Sequence, residues 1–525
     1  MKAETYNGNI EYKRYLTDCD DEKFQHRATQ MKFRLTEGSG EAIYYIGVDD
    51  CGTVVGTNVT RLEESLTNMY LIADSIGADA QVLDRTTIRN SKETHWVAHV
   101  LIREKAIPYV DLRIGIVGNV DAGKSTTLGT LLGGTLDNGR GSARKKVFVH
   151  RHEIESGRTS SIGHKILGFD AEGNVVNHHQ RKDDWRDIVK KSIKVINFYD
   201  LAGHEKYLKT TIHGLSSKVP DYCLVMVATN MGTNHITHEH LSICESLHFP
   251  VIIILTKSDL APPAIRQETI RSVKKLCRNL LKRPVYRVSS TTDVMQCLDR
   301  IKVVVPMIEI SNVTGHNLKL LYMLLRLLPK RNRFSRNCNK KVQYFIDQKF
   351  SVSGHHAIVS GLLQSGTVQV NDTLWLGPQD DSTYREVKIR SIHRKYCPIE
   401  IAYSGSFVCL SLKGITNQDI RKGMVLVQKQ HRLAVRDFTA KIRVLHTPTT
   451  IRVGYQPFLN INHISQVAEI TAINTPDGST ILRNGDIALV RMRFIFHPEY
   501  IQPKMKIFFR ESKVKAEGRV TKDII

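Results

Sequence analysis

The chain of 525 residues has no C-x-x-C pair, and its nine cysteines are odd in number and scattered. Neither a disulfide framework nor a zinc site is expected, and a reducing compartment suits it. No run of 18 apolar residues occurs, which argues against a membrane-spanning helix. The opening residues Met1-Lys2-Ala3-Glu4-Thr5-Tyr6-Asn7 lack the apolar core of a secretory signal. The expectation is a soluble, cytosolic, monomeric protein with no membrane partner. Acid is also in short supply: 52 Asp and Glu stand against 75 Lys and Arg, a net charge of +23. Residues 331–525 hold 30 basic and 15 acidic side chains, so +15 of that excess lies there. A basic surface of this kind binds a polyanion by releasing counterions, although a merely basic soluble protein would look the same. With no basic–aromatic motif for single-stranded RNA in view, RNA contact would be by shape and backbone.

What is present is a phosphate loop. Gly118-Asn119-Val120-Asp121-Ala122-Gly123-Lys124-Ser125 matches G-x-x-x-x-G-K-[ST]. It follows the apolar run Leu112-Arg113-Ile114-Gly115-Ile116-Val117 and precedes Thr126-Thr127-Leu128-Gly129-Thr130-Leu131-Leu132, giving the strand–loop–helix setting the motif needs. Its glycines let backbone N–H groups converge on phosphate oxygens at a helix N-terminus. Lys124 is expected at the β- and γ-phosphates, and Ser125 on Mg²⁺.

Three further pieces follow in order. Asp200-Leu201-Ala202-Gly203-His204 comes after the strand-like Val195-Ile196-Asn197-Phe198-Tyr199. There Asp200 can hold Mg²⁺ through water, the Gly203 N–H can face the γ-phosphate, and His204 can reach an attacking water. Thr256-Lys257-Ser258-Asp259 follows Val251-Ile252-Ile253-Ile254-Leu255. Asp259 can accept from guanine N1–H and the 2-amino group, a donor pair adenine lacks, while the Lys257 stem can cover the base face. Ser311-Asn312-Val313, after Val303–Ile310, can offer a backbone N–H to guanine O6.

Together these residues resemble the GTPase domain of the translation-factor superfamily. Within it, His152-Glu153-Ile154-Glu155-Ser156-Gly157-Arg158-Thr159-Ser160-Ser161-Ile162-Gly163 and Leu167-Gly168-Phe169-Asp170 make the chain similar to the GTP-binding protein 1 and 2 family. The resemblance implies GTP as substrate, Mg²⁺ held by Ser125, Thr159 and Asp200 through water, and a switch threonine at Thr159 that orders with GTP. It implies that Lys124, Thr159 and His204 form the catalytic set, with His204 unproductive until a ribosome repositions it. Asp121 is expected to hold a monovalent cation or to face ribosomal RNA. The partners implied are the ribosome and a tRNA or tRNA-mimicking protein. Two rival readings are a weakly hydrolysing regulatory GTPase that recruits RNA-decay or rescue proteins, and a GTPase of the sulfate adenylyltransferase type.

The chain departs from the commoner pattern at three places. Arg158 stands where an isoleucine gates the histidine together with the loop valine, here Val120; Thr256 replaces asparagine, and Asn312 replaces a small residue.

The fold class expected is an α/β phosphate-loop GTPase domain followed by two β-barrels, with a small α+β domain in front. The boundaries are 1–108, 109–333, 334–430 and 431–525. In the first, Glu41–Val48 and Thr53–Gly56 flank Asp49-Asp50-Cys51-Gly52 as a hairpin, Leu62–Ile76 has helical spacing, and His95–Ile102 reads as a strand. His95 and His99 are expected on a strand surface. Gly139–Arg151 is expected to be a mobile part of the first switch or a solvated loop. The adjacent His355 and His356 would point to opposite faces of a strand, so no shared metal is expected.

Overall fold

A computed structural model describes residues 8–17, 21–38, 41–90, 93–104, 109–148, 153, 159, 162–179, 184–331, 337, 340–350, 357–511 and 514–524. Arg158, the His355–His356 pair, residues 149–151 of the basic segment and residues 332–334 where the first expected barrel begins lie outside them. The chain divides into two units, Met1–Val110 and Asp111–Ile525.

In the first unit, strands Ile10–Lys13, Glu41–Ile46, Glu93–Glu104 and Ala78–Asn90 form one sheet in that order. Helices Asp21–Glu37 and Val59–Ser75 contribute to its core, where Leu66, Met69 and Ile72 join Tyr44, Ile46, Val100 and Ile102. The second helix starts where Asn58 Oδ1 accepts from Arg61 N at 2.8 Å. The expected hairpin shrinks to a single bridge, Val48 to Val54. Its return strand is lost because Thr57 exchanges hydrogen bonds with Trp96 instead, carrying the chain across to Glu93–Glu104. His99 lies on that strand and stacks on Tyr45 at 4.5 Å, and no cluster of three or more His, Cys, Asp or Glu side chains placed to hold a metal occurs among the described residues.

The second unit begins with a seven-stranded sheet. Its order is Val285–Val288, Val305–Glu309, Val251–Thr256, Tyr222–Ala228, Val110–Gly118, Lys194–Asp200 and Gly163–Phe169. The first five pair in parallel, and the last is antiparallel to its neighbour. Continuous apolar runs form these central strands because both faces are covered. In Val251–Thr256, Ile252 and Ile254 join one core cluster while Val251, Ile253 and Leu255 join another.

Short alternating strands follow. Thr373–Gly377, Val425–Val427, Gln343–Phe350, Ala357–Ser365, Phe407–Lys413 and Arg385–Arg394 pair in that order, and the first and last also pair, which closes the ring. A second closed barrel runs Asp437–His446, Ile487–Phe494, Ile464–Asn474, Phe458–Ile461, Lys506–Glu511 and Val514–Ile524. Phe345, Val425 and Val427 of the first barrel belong to the core of the second.

The helix Leu208–Lys218 meets both barrels. Lys218 Nζ lies 2.5 Å from Asp347 Oδ2 and 4.2 Å from the Phe407 ring centre, and His213 Nδ1 is 3.1 Å from Ser465 Oγ. His463 stacks on Phe345 at 5.0 Å. At the start of the strand Val110–Gly118, Asp111 accepts from Asn197 and pairs with Arg394 and Lys395 of the first barrel. Burial raises the Asp111 carboxyl, but the two cations outweigh it and hold it well below the usual range.

Burial lowers His463 to about 3, with His213, Lys218 and Arg113 acting in the same sense and Asp347 opposing. The unfolded chain therefore takes up a proton near pH 6.5 that the folded chain refuses until about pH 3, so stability falls as pH drops through that window. The melting temperature is expected to decline on acidification from pH 7 to pH 5, and less so in His463→Phe, as measured by differential scanning calorimetry. An unchanged slope in that variant would contradict the assignment.

Candidate active site

The strand Val110–Gly118 delivers the phosphate loop, and the helix Lys124–Gly133 leaves it. Gly123 sits at φ +79° as the helix N-cap, a conformation open to glycine at no steric cost. Helix and strand pack through Leu128, Leu131, Ile114 and Ile116, which fixes the loop between two rigid elements.

Lys124 is buried, and its Nζ donates to the carbonyls of Gly118 at 2.9 Å and Asn119 at 2.7 Å. Burial lowers its pKa to about 8, with Asp200 and Asp121 pulling the other way. Gly203 lies against it: a Cβ there would strike Lys124 Nζ and come within 2.6 Å of Gly118 O. This close approach joins Asp200–His204 to the phosphate loop.

Three oxygen-bearing groups converge beside the lysine. Ser125 Oγ donates to Asp200 Oδ2 at 2.6 Å, and Thr159 Oγ1 lies 3.0 Å from Ser125 Oγ and 3.4 Å from Asp200 Oδ2. Asp200 is 1% exposed, and its Oδ1 is buried with no partner among the described residues. Burial raises the Asp200 carboxyl, with Lys124, Ser125 and Thr159 opposing. A buried carboxylate with an orphaned oxygen next to two hydroxyls fits a hard divalent cation, which takes oxygen ligands. Burial drives both shifts, and a phosphate beside the lysine and a cation beside the carboxylate would oppose them.

His204 is exposed and caps the short turn Glu205–Tyr207, its Nδ1 accepting from Lys206 N at 3.1 Å. An accepting Nδ1 leaves the proton of the neutral ring on Nε2. Val120 is half-buried and Asp121 exposed, with φ +59°.

The base-side loops are tied to the phosphate loop and to each other. Thr256 Oγ1 donates to Ala122 O at 2.9 Å, so the hydroxyl fastens strand Val251–Thr256 to the loop. Ser258 N donates to Ile310 O at 3.3 Å. Asp259 is exposed and Lys257 half-buried, at φ +55°. Asn312 is buried, its Nδ2 donating to Thr127 Oγ1 at 2.9 Å, and its carbonyl accepts from Asp137 N at 2.9 Å. The Val313 N–H goes to Ser311 Oγ at 3.2 Å.

Asp137 was not singled out from the sequence. Its carboxylate accepts from the N–H groups of Gly139, Gly141 and Ala143 and from Ser142 Oγ, gathering the segment that follows into the turn Ala143–Lys146. This turn presses on Gly129, where a Cβ would collide with Ala143 O. Residues 139–148, expected as a mobile or solvated stretch, are instead fastened to the phosphate-loop helix, because one buried carboxylate satisfies three of their amides. Leu136-Asp137-Asn138-Gly139 carried the signal, since Asp before Asn-Gly favours side-chain-to-backbone turns.

Residues 111–330 match the family described as elongation factor Tu GTP binding domain, and residues 357–427 match elongation factor Tu domain 2. The chain is 40% identical over 518 residues to GTP-binding protein 1 of Xenopus laevis, covering 97% of this chain and 77% of that one. It is 37% identical over 535 residues to GTP-binding protein 2 of Homo sapiens, covering 99% and 88%. Among solved structures it is similar in fold to translation elongation factor SelB of Methanococcus maripaludis in complex with a GTP analogue, at a TM-score of 0.56, 19% identity and 79% of both chains.

Gly203→Ala is expected to displace Lys124 and lower GTP affinity at least tenfold while leaving the melting temperature within a few degrees, read by fluorescent-nucleotide titration. Thr256→Val keeps the shape but leaves Ala122 O unpaired, costing about 1–3 kcal/mol. Its effect is expected in nucleotide affinity as well as stability, and a stability loss alone would reduce Thr256 to a packing role.

Proposed function

The chain belongs to the GTP-binding protein 1 and 2 family of translational GTPases, which bind and hydrolyse GTP, and on that premise we propose that it couples nucleotide state to a tRNA or tRNA-mimicking partner on the ribosome. The observation that supports this reading most directly is the meeting of Ser125, Thr159 and the Asp200 carboxylate beside a lysine held under Gly203.

In this reading the amides of residues 118–126 and Lys124 hold the phosphates. Ser125, Thr159 and Asp200 would hold Mg²⁺, Asp200 through water; when bound, the ion supplies charge neutralisation on the β- and γ-phosphates. Asp121 is the exposed carboxylate available to a monovalent cation or to ribosomal RNA. Asp259 selects guanine, covered by Lys257, with Ser311–Val313 at O6. His204 positions the attacking water through Nε2, and its exposure supports slow hydrolysis until an outside contact orients it.

The switch has a structural route outward. His204 directly precedes the turn that runs into Leu208–Lys218, and that helix engages Asp347 of the first barrel and Ser465 of the second. Loss of the γ-phosphate would free Thr159, and a change in Gly203–Tyr207 would pass along the helix to the barrels. The basic excess of residues 331–525 supports an RNA-bearing partner there.

Asp259→Ala is expected to weaken GTP binding by roughly 100-fold, about two lost charged hydrogen bonds, without comparable change for ATP. His204→Ala is expected to keep GTP affinity and lose ribosome-stimulated phosphate release. Turnover unaffected by ribosomes in the parent chain would favour the regulatory reading instead. Cosedimentation with ribosomes and charged tRNA should be strongest with a non-hydrolysable GTP analogue, and equal binding in GTP, GDP and the analogue would defeat the switch.

A further inference from the structure

The geometry points to a second anion site, distinct from the nucleotide site: a cavity for a compact polyphosphate between the second barrel and the end of the helix His235–Ser246. Strands Asp437–His446, Val514–Ile524 and Lys506–Glu511 lie side by side, with Lys441 opposite Arg519 and Arg519 opposite Lys506. Directly opposed residues share a face, and Ile442, Ile507 and Val520, each one position along, are buried in the barrel core. The three cations therefore stand in a row on the outside, spanning roughly 10 Å across strands about 4.8 Å apart.

Such a row works against the fold, since like charges directly opposite one another destabilise a sheet. Among the described residues, neither Lys441 nor Arg519 has a side-chain hydrogen bond or ion pair. Two residues along, Arg443 stands opposite Glu517 in the register, a rung of unlike charge beside one of like charge.

The row lines a cavity of about 410 Å³, whose other wall comes from Glu245, Ser246 and His248. Lys506 Nζ donates to Ser246 O at 3.1 Å, joining the two walls at a helix C-terminus, where a cation is favoured. This volume is in the range of small-molecule pockets. Glu245 and Glu517 share the lining with Lys441, Arg443, Lys506 and Arg519, so the cations are in excess. A pocket walled on two sides suits a compact ligand better than an extended strand, and two or more phosphate groups answer the row. Because its walls come from the GTPase domain and a barrel, an occupant would hold the two together.

The test is calorimetric titration of inorganic tripolyphosphate into the full chain saturated with GDP and excess Mg²⁺, so that the phosphate loop is already filled. One-to-one binding is expected, weakened at least tenfold in the Lys441→Gln/Arg519→Gln variant and unchanged in Lys413→Gln, on the other barrel. No binding, or binding indifferent to residues 441 and 519, would overturn the proposal. Binding of an RNA duplex but not tripolyphosphate, with the same dependence, would also overturn it, making the row an RNA surface. Ligand-free Arg519→Gln is expected to melt at or above the parent temperature, having shed two repulsions; a clear fall would mark Arg519 as structural and sink the inference.

Discussion

Gly203 touching the ammonium of Lys124 is the constraint around which the site is arranged. No side chain fits between them, so the segment that ends in His204 is held at the edge of the phosphate loop. The same contact keeps Lys124 buried, where it spends its hydrogen bonds on Gly118 and Asn119 and its charge is felt by Asp200. Burial presses the lysine pKa down and the carboxyl up, and a phosphate and a cation bound there would oppose both shifts.

Around that contact the loops are linked in a closed circuit. Thr256 fastens the base-side strand to Ala122, Asn312 fastens the next loop to Thr127, and its carbonyl takes the amide of Asp137, which in turn gathers residues 139–143. Two of the departures from the commoner sequence pattern, Thr256 and Asn312, are thus members of this circuit. A shorter side chain at 312 could not reach Thr127, and a hydroxyl at 256 suffices because Ala122 O is close.

The fold class was readable because its signals are local. Val251–Thr256 is a continuous apolar run, and the barrels alternate in period two, as the burial of Ile487–Phe494 does. The phosphate loop could be read for the same reason, since its residues are contiguous. What could not be read depends on pairings across long stretches of chain. Asn312 and Thr127 lie 185 positions apart, and no spacing rule connects them. The hairpin around Asp49–Gly52 forms its turn but stops short, because a distant strand captures Thr57, a competition that local turn chemistry cannot register. Lys218 was invisible for a similar reason: nothing beside it in sequence announces a buried carboxylate at Asp347.

Phe345, Val425 and Val427 leave their own barrel to complete the apolar interior of the next one. Each barrel keeps buried residues of its own, Leu362, Leu410 and Leu426 in the first among them, but this apolar seam joins the two. They should travel as a single lever arm, so whatever moves the helix Leu208–Lys218 displaces a body of nearly two hundred residues at once rather than two beads on a string.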